Sequence, residues 1–383
     1  MFKNVISYRV PFVFVAGVFI IYQLVIREGI LPALIFAILP VIGIGCAGIF
    51  HGQLAFYAFF VINYFIMGIS RYFPMKTGMI MLGLTLGLLL LVFLKNIFHP
   101  YDWKRSRNFL TVIWLIWFVY CLLEIFNPTS VIQAWNIAIN GYAFFPLLSA
   151  ILIPILFTRY KDLKWLLILW AFLCLLAAAK GYWQRNHGFD SAELYWLLVE
   201  GGARTHFIYS GVRYFSFFSD AANYGTSMGL SMTIFGIIGF YVRPIWLKFL
   251  FWGTAVASFY GLMISGTRSA VIIPIVGLVT YLILCRNIKY MLFGICILTA
   301  SLLFLTQTNI GNENSLIRRM RTTFDKDDAS MQVRVINKKK MIPLLQDKPF
   351  GIGLGLSGGR ATRFNVDTPL AKLPPDSSHT ATW

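Results

Sequence analysis

Charge is what this chain has least of. Of its 383 residues only 13% are Asp, Glu, Lys or Arg, about half the share of a soluble domain, and acidic residues number 15 against 33 basic. Hydrophobic residues make up 58%, and the mean hydropathy is +0.71. A water-soluble core of this size cannot hide so much apolar surface, which excludes a soluble enzyme and a disordered chain. Cysteine is sparse too: Cys46, Cys121, Cys174, Cys285 and Cys296 all lie inside or at the ends of apolar runs, with no CxxC pair and no Cys/His cluster. That speaks against a disulfide framework and against a zinc site, and leaves buried small hydrophobes as the plain reading. The net charge of +18 forms no groove-lining stripe, so nucleic acid is not an expected partner. The basic residues sit between apolar runs, where Lys and Arg set membrane orientation and meet lipid phosphates.

Long apolar runs are what the chain has in abundance. Helical spans need about 17 to 25 such residues, and runs at 10–26, 30–50, 54–69, 78–94, 109–126, 131–157, 164–179, 224–241, 247–264, 269–284 and 290–305 qualify. The first follows a basic start and lacks a small-residue cleavage site, so it reads as a retained span. Pro32, Pro40, Gly43, Gly45 and Gly48 make the second and third the most open to bending. The expected fold is all-α: a polytopic transmembrane helical bundle of about eleven spans with extracytoplasmic amphipathic helices. Residues 328–346 supply one such helix, with Met331, Val335, Met341 and Leu345 on one stripe and Arg334 and Lys338 to Lys340 on other faces. The turn at Gly351, Gly353 and Gly355 has no preceding strand, so it reads as a flexible or re-entrant stretch and not as a dinucleotide fingerprint.

Placing the N-terminus in the cytoplasm puts thirteen Lys and Arg in inner connections and only Arg27, Arg71, Lys76 and Arg268 in short outer ones. Two polar segments then face outward. The expected organisation is a transmembrane domain over 1–305 that includes a periplasmic loop at 180–223, followed by a periplasmic C-terminal segment at 306–383. Within the spans Glu124 is the one mid-chain carboxylate, and it lies beside Asn127-Pro128 near a helix end, where snorkelling to water is the plainer reading than a proton relay. A coupled transporter needs more ionisable groups than that. The polar information lies outside, which suits an enzyme that handles a lipid-anchored polar substrate at the membrane surface.

The outer loop interleaves basic residues with aromatics, amides and carboxylates: Lys180, Gln184, Arg185, His187, Glu193, Glu200, Arg204, His206, Arg213 and Asp220 among Trp, Tyr and Phe. Such a mixture can stack on sugar rings, bond hydroxyls and clamp phosphate through the guanidinium fork. An ordinary interfacial loop anchored by Trp, Tyr and Arg has the same composition. Gln184, Glu193, His206 and Asp220 are the candidate glycan-binding residues. Arg268 sits in the short turn Ser265-Gly-Thr-Arg268-Ser-Ala between two spans, where it needs a partner: a phosphate, or a carboxylate such as Asp220 or Glu193.

Three stretches, RYFSFFSDAANYG from Arg213, SGTRSA around Arg268 and QVRVINKKKMIPLLQDKPFGIGLG from Gln332, resemble the O-antigen ligase and O-antigen polymerase family. The resemblance extends to the hydropathy of the whole chain and to a large outer loop in its second half. It implies a metal-independent, inverting membrane glycosyltransferase of the bacterial inner membrane, active at the periplasmic face and using no cofactor. The implied partners are an undecaprenyl-diphosphate-linked glycan as donor, lipid A-core (ligases) or a second lipid-linked repeat unit (polymerases) as acceptor, and membrane lipids. By the same resemblance Arg213 and Arg268 match the family's two functional arginines and would hold the diphosphate.

An acceptor proton needs a general base. In the stretch Leu373-Pro-Pro-Asp376-Ser-Ser-His379, Asp376 is the favoured catalytic residue, because similar exopolysaccharide polymerases carry Pro-Pro-Asp-Ser there; this tilts the reading toward polymerase. His379 is the second candidate, His187 and His206 are weaker substitutes, and a solvated loop carboxylate is the plain alternative for Asp376. The chain departs from the family in having Asn140 where an arginine is common and in ending at Trp383, where a further membrane helix is expected, so 306–383 reads as incomplete. A lipid-linked glycan exporter and an inactive scaffold member are the other functional readings.

Overall fold

The computed structural model describes residues 52–73, 77–208, 211–284 and 288–308, scattered residues from 321 to 348, and 350–356 with Phe364. The two spans expected before residue 51, most of the amphipathic helix expected at 328–346, Asp376 and His379 lie outside the described residues. The elements are helices α1 (Gly52–Ile69), α2 (Thr77–Phe98), α3 (Phe109–Leu123), α4 (Ile132–Ile139), α5 (Phe145–Leu156), α6 (Tyr160–His187), α7 (Ser191–Leu198) and the single turn α8 (Ala203–His206). A two-residue hairpin, β1 (Phe207–Ile208) and β2 (Gly211–Val212), leads to α9 (Ala221–Tyr241), α10 (Ile245–Ser265), α11 (Ile272–Leu284) and α12 (Ile288–Gln307). Six helical stretches among the described residues are long and apolar enough to cross a membrane: Gly52–Ile69, Thr77–Phe98, Phe109–Phe126, Ile132–Leu156, Tyr160–His187 and Ile245–Ser265. The chain is an all-α, multi-pass membrane protein.

The chain divides into two compact units, one of residues 1–60 and 83–103 and one of 61–82 and 104–383. In the described part of the first, Asn96 Oδ1 accepts from the Tyr101 N–H (2.9 Å) and the Trp103 indole (3.0 Å), which closes the end of α2. The second unit holds everything that follows.

Its centre is the antiparallel pair α9 and α10, turned at Val242-Arg-Pro244, where Pro244 cannot continue a helix and starts the next. Helix α9 is rich in Gly, Ser and Thr, and long as it is, it is not among the six stretches apolar enough to cross a membrane. Between membrane helices small residues permit close approach, and dispersion takes over the role that water exclusion plays elsewhere. A Cβ at Gly225 would collide with the Ser265 hydroxyl, and one at Gly229 would lie 3.0 Å from the Ala270 carbonyl. Helix α6 closes the core with Ala171, Cys174 and Ala177 against Tyr224, Met228 and Phe235 of α9 and Phe251, Leu262 and Ile264 of α10.

The span expected at 131–157 is a composite of α4, a single π-turn over Asn140–Phe144, and α5. Pro146, which has no N–H to donate, lies at the start of α5, so the wide turn and the proline together interrupt the ladder. Helix α6 also differs from expectation, running through Lys180 to His187, about two turns beyond the expected span end at 179. Lys180 finds two carboxylates there and Gln184 is buried, so neither polar residue ends the helix.

Candidate functional site

Residues 188–220 join α6 to α9. Asp190 caps α7, accepting from the Glu193 N–H at 2.9 Å, while Glu193 returns a bond from the Asp190 N–H at 3.1 Å, a reciprocal capping box. Lys180 Nζ reaches Asp190 (3.1 Å) and Glu193 (3.0 Å), and the Tyr72 hydroxyl also bonds Asp190. Burial pushes the Asp190 carboxyl upward, but the Tyr72 hydroxyl, the Glu193 N–H and Lys180 outweigh it and hold the group below its ordinary range. Gln184 donates to Glu193 Oε1 (2.8 Å) and accepts from the Ser216 N–H (2.9 Å). Ser216 sits at φ 50°, a conformation non-glycine residues adopt at a cost, and its hydroxyl bonds the Ala177 carbonyl at 2.7 Å.

The other half of the loop converges on the turn after α10. The Arg213 guanidinium donates to the Ser265 carbonyl (3.3 Å), the Thr205 carbonyl (3.1 Å) and the Thr267 hydroxyl (2.9 Å). The Tyr214 N–H donates to the Ile264 carbonyl at 3.3 Å. Thr267 in turn donates to the Ala221 carbonyl at 2.9 Å. Helix α10 ends at Gly266 in the left-handed region, and Arg268, half-buried, opens the 3₁₀ turn Arg268–Val271 one residue after Thr267. Two arginines 55 positions apart in sequence are therefore built onto one turn.

His206 locks this arrangement to the start of α9. Its Nε2 accepts the Ala221 N–H at 3.1 Å, so the ring proton lies on Nδ1, which faces the Gly202 carbonyl at 2.9 Å. Trp196 and Phe215 pack edge-on against the ring, each 5.1 Å away. Burial, with Arg213 and Arg71 nearby, depresses its pKa despite the Gly202 bond and Asp220. Asp220 caps α9 by accepting from the Asn223 N–H at 2.8 Å, and its other oxygen takes bonds from Ser219 (2.9 Å) and the Asn223 amide (2.9 Å).

The four residues read from sequence as glycan contacts thus stand in two places. Gln184, Glu193 and His206 are each 1% exposed and bonded within the loop; in this conformation they shape it from beneath. Asp220 is half-buried at the end of α9, beside exposed Asn223. Arg213 and Arg268 are brought together. Arg71, read from sequence only as an orientation residue, lies with its guanidinium 4.5 Å from the Trp196 ring centre and 4.3 Å from that of Phe215; nothing in the sequence links it to residues 120 or more positions away. Among the described residues no group of three or more His, Cys, Asp or Glu is placed to hold a metal ion.

The glycine-rich turn, expected to be flexible or re-entrant, is bonded to the end of α3 and the connection to α4. Thr129 donates to the Ile352 carbonyl (2.7 Å), Asn127 to that of Gly351 (3.2 Å) and Tyr120 to that of Phe350 (3.3 Å). Gly355, at φ 80°, lies so close to α4 that a Cβ would sit 2.5 Å from the Ala134 carbonyl. Glu124 is 8% exposed and accepts from the Asn127 amide at 3.3 Å, so it does not snorkel to water as expected. Asn127, bonded to both, is why.

Residues 253–380, about a third of the chain, match the family model described as O-antigen ligase. The match bears out the resemblance drawn from SGTRSA and from the stretch beginning at Gln332, both of which lie inside it; the Arg213 stretch lies before it. No curated protein and no solved structure matches the chain.

Proposed function

We propose that this chain is a membrane glycosyltransferase of surface-polysaccharide assembly, passing glycan from undecaprenyl diphosphate to an acceptor hydroxyl at the periplasmic face of the bacterial inner membrane. The observation that carries the proposal is the Arg213 guanidinium anchored on the Ser265–Thr267 turn next to Arg268. A guanidinium bonded to the turn after α10 and a second arginine in that same turn are suited to a diphosphate, whose charge grows as the glycosidic C–O bond breaks. The bond electrons leave with the diphosphate, the acceptor oxygen bonds to the anomeric carbon from the opposite face with inversion, and its proton passes to a base. Asp376 is our choice for that base, with His379 second. The arginines would supply the charge stabilisation that a divalent cation supplies in other glycosyltransferases. Gln184, Glu193 and His206 would shape the glycan side of the loop, and Asp220 with Asn223 would meet sugar hydroxyls. The acceptor is a second lipid-linked repeat unit, as the Pro-Pro-Asp-Ser stretch suggests.

The test is a gel of surface and lipid-linked glycans from a deletion strain complemented with the wild-type chain, Arg213→Ala or Arg268→Ala. Single repeat units that regain long ladders with wild type, and with neither variant at equal membrane level, support the proposal. Polymer stranded on the carrier and moved to lipid A-core by the wild type would make the chain a ligase. Full ladders from either variant would overturn the diphosphate clamp.

A further inference from the structure

Arg71 follows α1 by two residues, at the kind of position where an arginine ordinarily extends its head toward water or lipid phosphate. Here it turns inward. Its guanidinium lies against the faces of Trp196 and Phe215 and donates to the carbonyls of Phe218 and Ser219, the latter at 2.8 Å. Burial lowers its pKa to about 10 even with Glu193, Tyr72, Asp220 and Asp190 nearby, so it stays charged at any physiological pH.

The same end of α1 makes three further contacts with the same short segment. Tyr64 meets Phe218 edge-on at 5.2 Å and Phe65 meets Phe217 at 5.0 Å. A Cβ at Gly68 would lie 2.6 Å from the Phe217 carbonyl. Residues 213–220 are thus held at one end by Arg213 on the Ser265–Thr267 turn and at the other by α1. Between them sits Ser216 at φ 50°, a strain of about 1 kcal/mol or more that persists only where surroundings enforce it. Phe215, fully buried, lies two residues from Arg213 and under the Arg71 guanidinium.

We infer that Arg71 is a positioning residue for the transfer reaction: its guanidinium fixes the Phe218 and Ser219 carbonyls and the Phe215 ring, and thereby the aim of Arg213. The inference rests on the proposed role of Arg213. The Arg71 contacts fall on the far end of the segment, at Phe218 and Ser219, and on the Phe215 ring, so its role is taken to run through the segment to Arg213. Loosening a group that must meet developing charge costs turnover more than ground-state binding.

The experiment uses the full chain in lipid nanodiscs, with undecaprenyl-diphosphate glycan extracted from the deletion strain as the titrated donor. Arg71→Met keeps apolar bulk between the rings without charge or donors, and Arg71→Lys keeps charge without the planar fork. The expected result is a kcat about tenfold or more lower for Arg71→Met with donor KM within about twofold, and an intermediate kcat for Arg71→Lys. Amide hydrogen exchange of a peptide covering 213–223 should quicken in Arg71→Met while peptides from α6 and α10 keep wild-type protection. A raised KM at wild-type kcat would make Arg71 a donor contact, and wild-type kcat or unchanged exchange at 213–223 would remove the positioning role. Protection lost throughout the bundle would reduce Arg71 to a packing residue. If the wild-type chain transfers nothing, the proposed function fails, and Arg71 as a positioning residue for transfer fails with it; the exchange comparison then reports only whether Arg71 holds the segment.

Discussion

The arginine turn and the glycine clasp both hold a loop by side chains that donate to backbone carbonyls, yet their donors differ in kind. At the arginine turn the donors are cations: Arg213 on Ser265 and Thr205, Arg71 on Phe218 and Ser219. At the clasp they are neutral: Tyr120, Asn127 and Thr129 on Phe350, Gly351 and Ile352. A bond from a charged donor contributes about 1.5–3 kcal/mol against about 1 kcal/mol for a neutral one, and it leaves a charge behind that other chemistry can use. The clasp has only structure to offer. The turn holds its loop and presents positive potential in the same stroke, which is why function is assigned to it.

The largest effects should therefore fall on the turn. Arg268→Ala and Arg213→Ala are each expected to lower transfer by about a hundredfold or more, the scale of removing a charge-stabilising donor. Asn127→Ala combined with Thr129→Val should keep most of the rate. Initial rates in membranes matched for protein level decide between them. A clasp variant as inactive as Arg268→Ala would erase the distinction between the two loops.

Next in size is the packing beneath the turn. Gly225→Leu drives a side chain into Ser265 and Thr267, which carry the Arg213 bonds. Overpacking of this kind costs about 1–3 kcal/mol, and it should lower the thermal midpoint in detergent and the transfer rate together. Gly236→Leu, with open space around its Cβ, is the control on the same helix, and an equal loss there would show that α9 simply resists bulk.

How much of this was readable beforehand follows from the same contrast. Apolar runs fix spans because twenty residues without charge have few alternatives, so the helices from Gly52 to Gln307 fall close to where the pattern places them. Lys180 and Gln184 misplace one boundary because polarity was read as exposure, whereas both are satisfied within the protein. Arg213 and Arg268 stand out by residue type and motif. Arg71 does not, since an arginine beside a span looks the same in sequence whether it faces lipid or a buried carbonyl. The contacts of the clasp are invisible in sequence for a related reason: glycines signal permissive backbone, and whether that freedom serves motion or close approach depends on what lies opposite, here Ala134 and Ser130.

The clasp predicts a smaller, separable effect. Asn127→Ala with Thr129→Val removes the bonds to the Gly351 and Ile352 carbonyls, and the Asn127 bond to Glu124 with them, at about 1 kcal/mol each, which should hasten chymotryptic cleavage after exposed Phe350 severalfold while α6, α9 and α10 resist as before. Gly355→Ala, strained at φ 80° and crowded by Ala134, should act in the same direction. Unchanged cleavage in both would mean that the turn is held by something other than these contacts.

The subtlest expectation concerns His206, the neutral member of the charged region. Its folded pKa lies below the ordinary 6.5, chiefly through burial, and its Nε2 must be unprotonated to accept the Ala221 N–H. The unfolded loop therefore binds the proton more readily than the folded one. The stabilisation is complete above about pH 6.5 and is lost as pH falls from there toward the depressed folded value, with a slope of at most about 1.4 kcal/mol per pH unit for one group. Arg213 and Arg71 deepen the loss, because a charged imidazole would join two cations at the positive end of α9, and Asp220 only partly offsets it. Measured against the intrinsic amide exchange rate at each pH, protection of the 201–223 region should fall between about pH 6.5 and 5 in the wild type and change less in His206→Gln, which can accept the same N–H without titrating. The clasp, which holds no histidine, should show no such dependence. Equal pH profiles for wild type and His206→Gln would place the acid sensitivity of the turn in another group.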